Sequence, residues 1–458
     1  MNCEEHEETD RLSTPKRTLS LFDSTCLIVG IIIGAGIFET APTIAAAGGS
    51  ATGMFALWIV GGLLSLAGAL CYAELATTYP REGGDYVYLT RAYGPWAGFL
   101  FGWIQLVIAR PGDITLMAFI FATYAMTLVG PIVPDGLAGH ELALKLGLAS
   151  AAVVALTLIN VLGVRHGKRT QNVLTVVKVL GLVAIFAVAF ATEGPGDAPR
   201  LLSASERRPL ALALILVLFT YGGWNEMAYV AAEVKRPKHN ILRALVLGTV
   251  AVTVLYLAVN AAFLHALGLE GMARSGAVGV DVINTVLPQW GGRLLAALVC
   301  VSALGAMNGQ IFAGARVSYA LGTEHRPFGW LGLWNSRTGT PVVALAVQAF
   351  LAVGLIVAFG SFEETILYTA AAVYSFYLAT SLALIVLRRR EPDVARPYRV
   401  TGYPVVPLVF AACCGFLIYK AFVYSPLWAG ISAAILLAGL PIYWLSTYVE
   451  GKGLGTRD

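Results

Sequence analysis

The sequence predicts an all-α integral membrane protein with about twelve membrane-spanning helices, on the evidence of its composition and its long apolar runs. Of the 458 residues, 57% are hydrophobic and 13% are charged, and the mean hydropathy is +0.73. A typical soluble domain has about 25% charged residues. Apolar runs of about 20 residues, the length that crosses a bilayer, recur from Leu19 to Trp444. The predicted spans are 20–45, 52–78, 95–125, 141–163, 172–192, 209–232, 243–265, 291–318, 341–360, 364–388, 404–424 and 427–448.

The basic residues predict how the chain is oriented. With residues 1–19 and 450–458 as cytoplasmic tails, 22 of the 31 Lys and Arg residues fall on the cytoplasmic side and seven on the outer side. This asymmetry predicts a multi-pass protein of the cell membrane (inner or plasma membrane) with both termini in the cytoplasm. Residues 1–19 are acidic and polar, so we expect no cleaved signal peptide before the first span. The net charge of +4 is dispersed among loops, so we expect no nucleic-acid partner.

Glycines interrupt the first span. The segment VGIIIGAGIF, residues 29–38, contains Gly30, Gly34 and Gly36, and each glycine weakens a helix by roughly 1 kcal/mol relative to alanine. Close helix packing through small residues spaced by four is one interpretation, and Gly30 with Gly34 fits it. The spacing of Gly34 and Gly36 fits it less well and favours a break in the helix.

The sixth span has a matching interruption, because Gly222 and Gly223 lie near the middle of LILVLFTYGGWNEMAYVAAEV. If the chain consists of two five-helix halves, 20–192 and 209–388, with added helices over 404–448, then spans one and six correspond. Glycine-interrupted spans in corresponding positions indicate a binding site near the midplane of an inverted-repeat transporter.

Two such breaks would offer opposite charges to a ligand. The half-helix after the first break would present N–H groups, around Ile33 to Gly36, to an anion. The half-helix that ends at Phe219 to Gly222 would leave carbonyl groups for a cation. One pole for a carboxylate and one for an ammonium match the backbone of a free amino acid.

Ionisable residues within or near the spans have several interpretations. Arg110 and Asp113 are spaced i,i+3 and predict a structural ion pair at a kink made by Pro111. Glu226 follows the sixth-span break, where it either stabilises a half-helix N-terminus or serves as a proton relay. Residues closer to the cytoplasm are predicted to form hydrogen bonds that close an intracellular gate. These residues are Glu74, Asp85 and a Glu233–Arg236 cluster.

Other classes of function lack their sequence signals. None of the six cysteines falls in a predicted outer loop, and no two of the six histidines have helical ligand spacing. We therefore expect no disulfide framework, metal or cofactor. We also find no catalytic constellation at one depth, so the chain is not expected to be an enzyme. A channel or a membrane-embedded sensor would share the spans but has no need of matching broken helices.

Several motifs between about Leu19 and Leu445 resemble one transporter family. They are GIIIGAGIF, CYAELATTYPREGGDYVYL, FTYGGWN, EVKRPKHN, AMNGQIFAGAR and RRREPDVARPYRV. Together they resemble the amino acid–polyamine–organocation (APC) superfamily, and within it the L-type amino acid transporters and their bacterial relatives. The resemblance implies a five-plus-five inverted-repeat fold with two added C-terminal helices, and amino acid transport by alternating access.

The resemblance also implies which residues hold the substrate, with Phe219 as a gate over the site. The predicted substrate-binding residues are Ile32, Ile33, Gly34, Ala35, Gly36, Phe219, Thr220, Gly222 and Asn225. With Trp224 also close, this pocket is mostly apolar, which favours neutral L-amino acids. A cationic amino acid or a polyamine is the alternative, and the sequence leaves exchange and proton-coupled uptake open.

The chain departs from the family pattern at Ala35, where eukaryotic members often carry serine. It also lacks the external cysteine that bonds a glycoprotein partner, since PIVPDGLAGHELALK contains none. We therefore expect no disulfide-linked ancillary subunit. Lys178, in the fifth span, either snorkels to the inner interface or places its ammonium where sodium-coupled relatives of the fold bind a cation. The resemblance favours the second interpretation and predicts sodium-independent transport.

Overall fold

The structure is a computed structural model, and it is helical. It describes residues 16–129, 140–191, 194, 202, 208–359, 362–424 and 426–454. Within these residues, the regular secondary structure other than helix is two isolated β-bridges. The α-helices in chain order are α1 (Leu21–Ile32), α2 (Gly36–Gly48), α3 (Ala51–Thr78), α4 (Asp85–Tyr93), α5 (Pro95–Ile104), α6 (Arg110–Val129), α7 (Glu141–Val161), α8 (Val164–Phe190), α9 (Leu210–Thr220), α10 (Glu226–Tyr229), α11 (Pro237–Arg274), α12 (Val278–Asn284), α13 (Gly291–Glu324), α14 (Val342–Phe359), α15 (Phe362–Arg390), α16 (Val405–Tyr424) and α17 (Pro426–Leu454).

These helices reproduce the predicted order of spans. In the described part of the chain, nine helical segments are long and apolar enough to cross a membrane, and the bent pair α1 and α2 makes a tenth. α14 is a shorter apolar helix, and α9 with α10 forms the interrupted sixth span. The predicted all-α membrane fold with broken first and sixth spans is confirmed.

Local sequence signals explain where the first helices begin and end. Ser20 and Asp23 form a capping box at the start of α1, in which the Asp23 N–H donates to Ser20 Oγ at 3.2 Å. α2 ends at Gly48 and is capped by Gly49, whose φ of 63° is the left-handed conformation that favours glycine. Ser50 caps α3 by accepting a hydrogen bond from the Gly53 N–H at 3.0 Å.

Several helices extend beyond the predicted spans. α8 begins at Val164 rather than at 172, and α11 covers Pro237–Arg274 rather than 243–265. The turns added at the start of both helices are polar, and a helix continues through polar residues once it leaves the hydrocarbon layer. The residues added at the end of α11 follow a kink at Gly268, whose φ is 68°. Hydropathy therefore marked the membrane-embedded part of each helix and missed its ends.

The core of the molecule surrounds α13, which packs against α1, α6, α7 and α8. α11 packs against α1, α2 and α3 on the opposite side of the first span. The two halves of the broken first span are therefore enclosed by other helices rather than exposed to lipid, as irregular backbone at membrane depth requires.

Some sequence predictions fall outside the described residues. These include most of the N-terminal tail (residues 1–15), the loop over 130–139 and the last four residues (455–458). The predicted bounds of the two repeats stay predictions. α17 continues to Leu454, so the last helix runs into the predicted tail at 450–458.

Candidate functional site

The first break separates two half-helices that meet at 54°. The Ile33 N–H donates to the Val29 carbonyl at 3.0 Å, and the Gly34 N–H to the Ile32 carbonyl at 2.8 Å. Among the described residues, nothing accepts a hydrogen bond from the N–H groups of residues 35–37. The free donors thus lie slightly later in the chain than the predicted set, which began at Ile33.

The second break follows α9, where residues 221–225 form a turn between α9 and α10. Gly223 has a φ of +109°, and a Cβ there would lie 2.5 Å from Cγ2 of Ile31. The position therefore requires glycine both for its backbone angle and for its contact with the first span.

Carbonyl groups at the second break are partly engaged. The Phe219 carbonyl accepts from the Gly222 N–H at 2.9 Å, and the Thr220 carbonyl accepts from the Tyr256 hydroxyl at 3.2 Å. Within the described part of the chain, the Tyr221 and Gly222 carbonyls accept no hydrogen bond. Two of the four predicted acceptors are therefore unpaired, and of these Gly222 is half-buried whereas Tyr221 is buried.

The two breaks are in direct contact. The Tyr256 hydroxyl, on α11, lies 3.0 Å from the Ile32 carbonyl and 3.2 Å from the Thr220 carbonyl, so one side chain spans both breaks. Thr40 Oγ1 and Thr220 Oγ1 lie 3.0 Å apart. A Cβ added at Gly36 would lie 3.1 Å from Thr220 Oγ1, which shows how closely α2 approaches α9. Tyr256 and Thr40 are not predicted from the sequence, because their only signal is a polar group within an apolar span.

The accessible part of this junction is mostly backbone. Gly36, Phe219, Gly222 and Gly223 are half-buried, whereas Ile33 is buried. The free N–H of Gly36 and the free carbonyl of Gly222 are therefore where a small ligand can reach polar backbone groups.

Two predicted contact residues already have partners in the fold. The Asn225 side-chain amide donates to the Tyr229 hydroxyl at 2.8 Å, and its oxygen accepts from the Tyr377 hydroxyl at 2.8 Å. The Thr220 hydroxyl donates to the Leu216 carbonyl at 2.7 Å. These side chains position the second break, so the groups that remain for a ligand there belong to the backbone.

Lys178 on α8 is fully buried behind the first break. Its Nζ donates to the carbonyls of Gly30 at 2.7 Å, Ile33 at 2.7 Å and Ser302 at 2.8 Å. The side chain therefore does not snorkel to the interface. Ser302 also donates from its hydroxyl to the Ile33 carbonyl at 2.8 Å. Ser302 is not predicted from the sequence, because it precedes, by one helical turn, the motif that begins at Ala306.

The predicted Arg110–Asp113 ion pair is wrong. Arg110 Nη2 lies 2.8 Å from Glu226 Oε1, and both side chains are buried. Arg110 Nε also donates to Gln105 Oε1 at 2.7 Å. A π-helical turn over Gln105–Ala109 precedes Arg110, so the third span is irregular just before Pro111. The pair links the third span to the sixth just beyond the second break.

Ion pairs close the end of the molecule at which α1 begins. Glu74 accepts from Arg388 Nε at 2.7 Å. Within the predicted Glu233–Arg236 cluster, Glu233 pairs with Arg316 of α13 at 2.7 Å, whereas Arg236 is exposed. The Glu233 carbonyl also accepts from the Leu19 N–H at 2.9 Å, which ties the segment before α1 to the exit of the sixth span.

Comparison with known proteins identifies relatives along nearly the whole chain. The sequence profile of a family described as amino acid permease matches residues 19–445. The chain is 32% identical over 448 residues to large neutral amino acids transporter small subunit 2 of Mus musculus, which covers 95% of this chain and 82% of that protein.

Two further relatives are similarly extensive. The b(0,+)-type amino acid transporter 1 of Mus musculus is 30% identical over 453 residues, or 97% of this chain and 91% of that protein. The serine/threonine exchanger SteT of Bacillus subtilis is 30% identical over 436 residues, or 94% and 96%. The family resemblance drawn from the motifs is confirmed, and the chain belongs to the amino acid permease family.

Proposed function

We propose that this chain is a sodium-independent secondary transporter of neutral L-amino acids that works by alternating access. The observation that carries the proposal is the contact between two broken helices, one with free N–H groups and the other with a free carbonyl group, which Tyr256 bridges through its hydroxyl. Free N–H groups at the start of α2 suit a carboxylate. The free carbonyl of half-buried Gly222 suits an ammonium. A zwitterion satisfies both sets at once.

The packing around the first break supports independence from sodium. Lys178 gives its three ammonium protons to the carbonyls of Gly30, Ile33 and Ser302. An ammonium has three donors and no acceptor, so its capacity is filled. A covalently attached cation thus occupies the space behind the break, and a dissolved one is not required.

The proposal also covers how transport is driven, which is by exchange of one amino acid for another. One relative is named an exchanger, which supports exchange, and proton-coupled uptake is the alternative mode. A proton relay at Glu226 is less favoured, because its ion pair with Arg110 stabilises the charged carboxylate. Phe219 is half-buried at the second break, which agrees with its proposed role as a gate.

The proposal includes a cell-membrane location with both termini in the cytoplasm, based on the distribution of basic residues. It also includes function without a disulfide-linked subunit. One relative is named a small subunit; in this chain the described cysteines are buried or half-buried and unpaired.

Competition for uptake tests the two-pole site. Proteoliposomes containing the purified chain would take up labelled leucine, serine or threonine, each measured separately. We expect the unlabelled amino acid to compete, whereas its methyl ester, which lacks the carboxylate, and its deaminated acid, which lacks the ammonium, do not. Lysine and a polyamine should compete weakly. A polyamine or a methyl ester that competes as well as the amino acid would refute the neutral, two-pole assignment.

A further inference from the structure

A cavity of about 810 Å³ lies at the closed end of the molecule and gathers positive charge. We call it the basic groove and define it by Lys16, Arg17, Arg165, Lys235 and Arg337, which line it. These residues come from the segment before α1, the first turn of α8 and the connections before α11 and α14. All five are exposed, and among the described residues none of them forms a salt bridge.

The carboxylates near the basic groove do not compensate its charge. Glu233 lines the cavity, but its carboxylate pairs with buried Arg316 at 2.7 Å. Asp23 pairs with Lys168 at 3.0 Å, which leaves that lysine neutralised. Five like charges around one cavity repel one another, and an oxyanion that accepts hydrogen bonds from several of them relieves this repulsion.

A bias of basic residues toward the cytoplasmic end is common in membrane proteins, but it does not require them to converge on one cavity. Here four chain segments bring them together. Basic pockets beside membrane-spanning helices are a known means of binding anionic headgroups.

One face of α8 leads from the basic groove into the region of the hydrocarbon layer. Arg165, Arg169, Val173 and Val177 follow one another at intervals of four, so they share a face of the helix, and all four are exposed. Leu162 lines the cavity and is 64% exposed. Charge ends at Arg169 and aliphatic surface begins at Val173, so the groove opens at the depth where lipid phosphates lie.

We propose that the basic groove binds the phosphate headgroup of an anionic phospholipid, whose acyl chains lie along the exposed face of α8. Free phosphate and the acidic residues of segment 1–15 are the other anions that match the charge. Neither has apolar chains to cover Val173 and Val177, and this favours the lipid. A headgroup between Lys16 and Arg337 would tie the segment before α1 to the connection before α14.

Lipid binding by the full purified chain tests the proposal directly. The protein would be titrated with fluorescent phosphatidylglycerol in phosphatidylcholine nanodiscs, and binding would be compared with that of Arg165→Gln/Arg337→Gln. The loss of two groove charges should weaken binding roughly thirty-fold. The matched control is Arg389→Gln/Arg399→Gln, which removes two exposed arginines outside the groove and should bind like the parent.

Two further binding measurements distinguish a phospholipid from free phosphate. Val173→Gln should weaken binding of phosphatidylglycerol, and a large excess of inorganic phosphate should displace the lipid only weakly from the parent protein. Equal binding by the groove variant and its control would overturn the proposal. Non-saturable binding by the parent, or full displacement by inorganic phosphate, would overturn it too and does not depend on how a variant folds.

Discussion

At the scale of single residues, Lys178 shows how one buried charge supports irregular backbone. The helix break leaves the Gly30 and Ile33 carbonyls without helical partners, and the ammonium lies 2.7 Å from each of them. A buried ammonium without acceptors would be strongly unfavourable, as would buried carbonyls without donors. Charge and break therefore depend on each other.

Replacing Lys178 by methionine tests this dependence. Lys178→Met keeps most of the side-chain volume and leaves carbonyls unpaired, each at a cost of about 1–3 kcal/mol. We expect uptake in proteoliposomes to fall by roughly tenfold or more, a loss of transition-state stabilisation of at least about 1.4 kcal/mol, together with a lower melting temperature. Lys238→Met, which changes an exposed lysine, should behave like the parent. Full uptake by Lys178→Met would contradict the assigned role.

Gly36 tests the predicted carboxylate pole. Gly36 is half-buried and its N–H is free, and a Cβ there would lie 3.1 Å from Thr220 Oγ1. The branched side chain of Gly36→Val would crowd this contact and cover the N–H groups, so substrate should no longer raise the melting temperature and uptake should be lost. Gly354→Val on α14 is the control, because a Cβ there meets nothing within 4 Å. Near-normal uptake by Gly36→Val would remove the carboxylate assignment.

Glu226 distinguishes a structural ion pair from a proton relay. Glu226→Gln leaves the Arg110 guanidinium buried without its counterion, which should destabilise the protein by about 3–5 kcal/mol. The pH dependence of net uptake, measured on the folded fraction, should keep the shape seen in the parent. A flattened pH profile in a variant of unchanged stability would instead show that Glu226 relays protons.

At the scale of elements, the sequence predicted the breaks better than it predicted their partners. Glycines at 34, 36, 222 and 223 are local signals, so both interruptions could be located from spacing alone. The partner of Arg110 could not be predicted from spacing, because Glu226 lies on another helix and contacts Arg110 only through tertiary packing. The spacing of Arg110 and Asp113 predicts a pair within one helix, but spacing along the chain gives no information on contacts between helices.

Tyr256 on α11 couples the two broken elements, since its hydroxyl contacts the Ile32 and Thr220 carbonyls. Tyr256→Phe removes only this hydroxyl, and a hydrogen bond contributes about 1 kcal/mol net. We expect a folded protein with uptake reduced several-fold, because the two poles are held together less firmly. Tyr419→Phe, on exposed surface of α16, provides the comparison. Parent-like uptake by Tyr256→Phe would show that the breaks keep their register without this bridge.

At the scale of the whole molecule, the fold, the broken helices and the family all followed from hydropathy, glycine positions and motifs. The full lengths of α8 and α11 did not follow from hydropathy, because hydropathy does not detect the polar turns with which these helices begin. The ion pairs Glu74–Arg388 and Glu233–Arg316, which close the end of the molecule at which α1 begins, could not be predicted either. Each of them joins segments that are distant in sequence. The proposed alternating access would require these ion pairs to separate when that end opens.

Substrate-accelerated exchange, measured with and without sodium, tests the central claim most directly. Proteoliposomes would be preloaded with an unlabelled neutral L-amino acid or left empty, and uptake of the labelled compound measured in sodium chloride and in choline chloride. We expect saturable uptake that internal substrate accelerates and that is equal in the two salts, because the proposed role of Lys178 is to take the place of a bound ion. Uptake that rises steeply with sodium, or a flux that neither saturates nor responds to internal substrate, would contradict it.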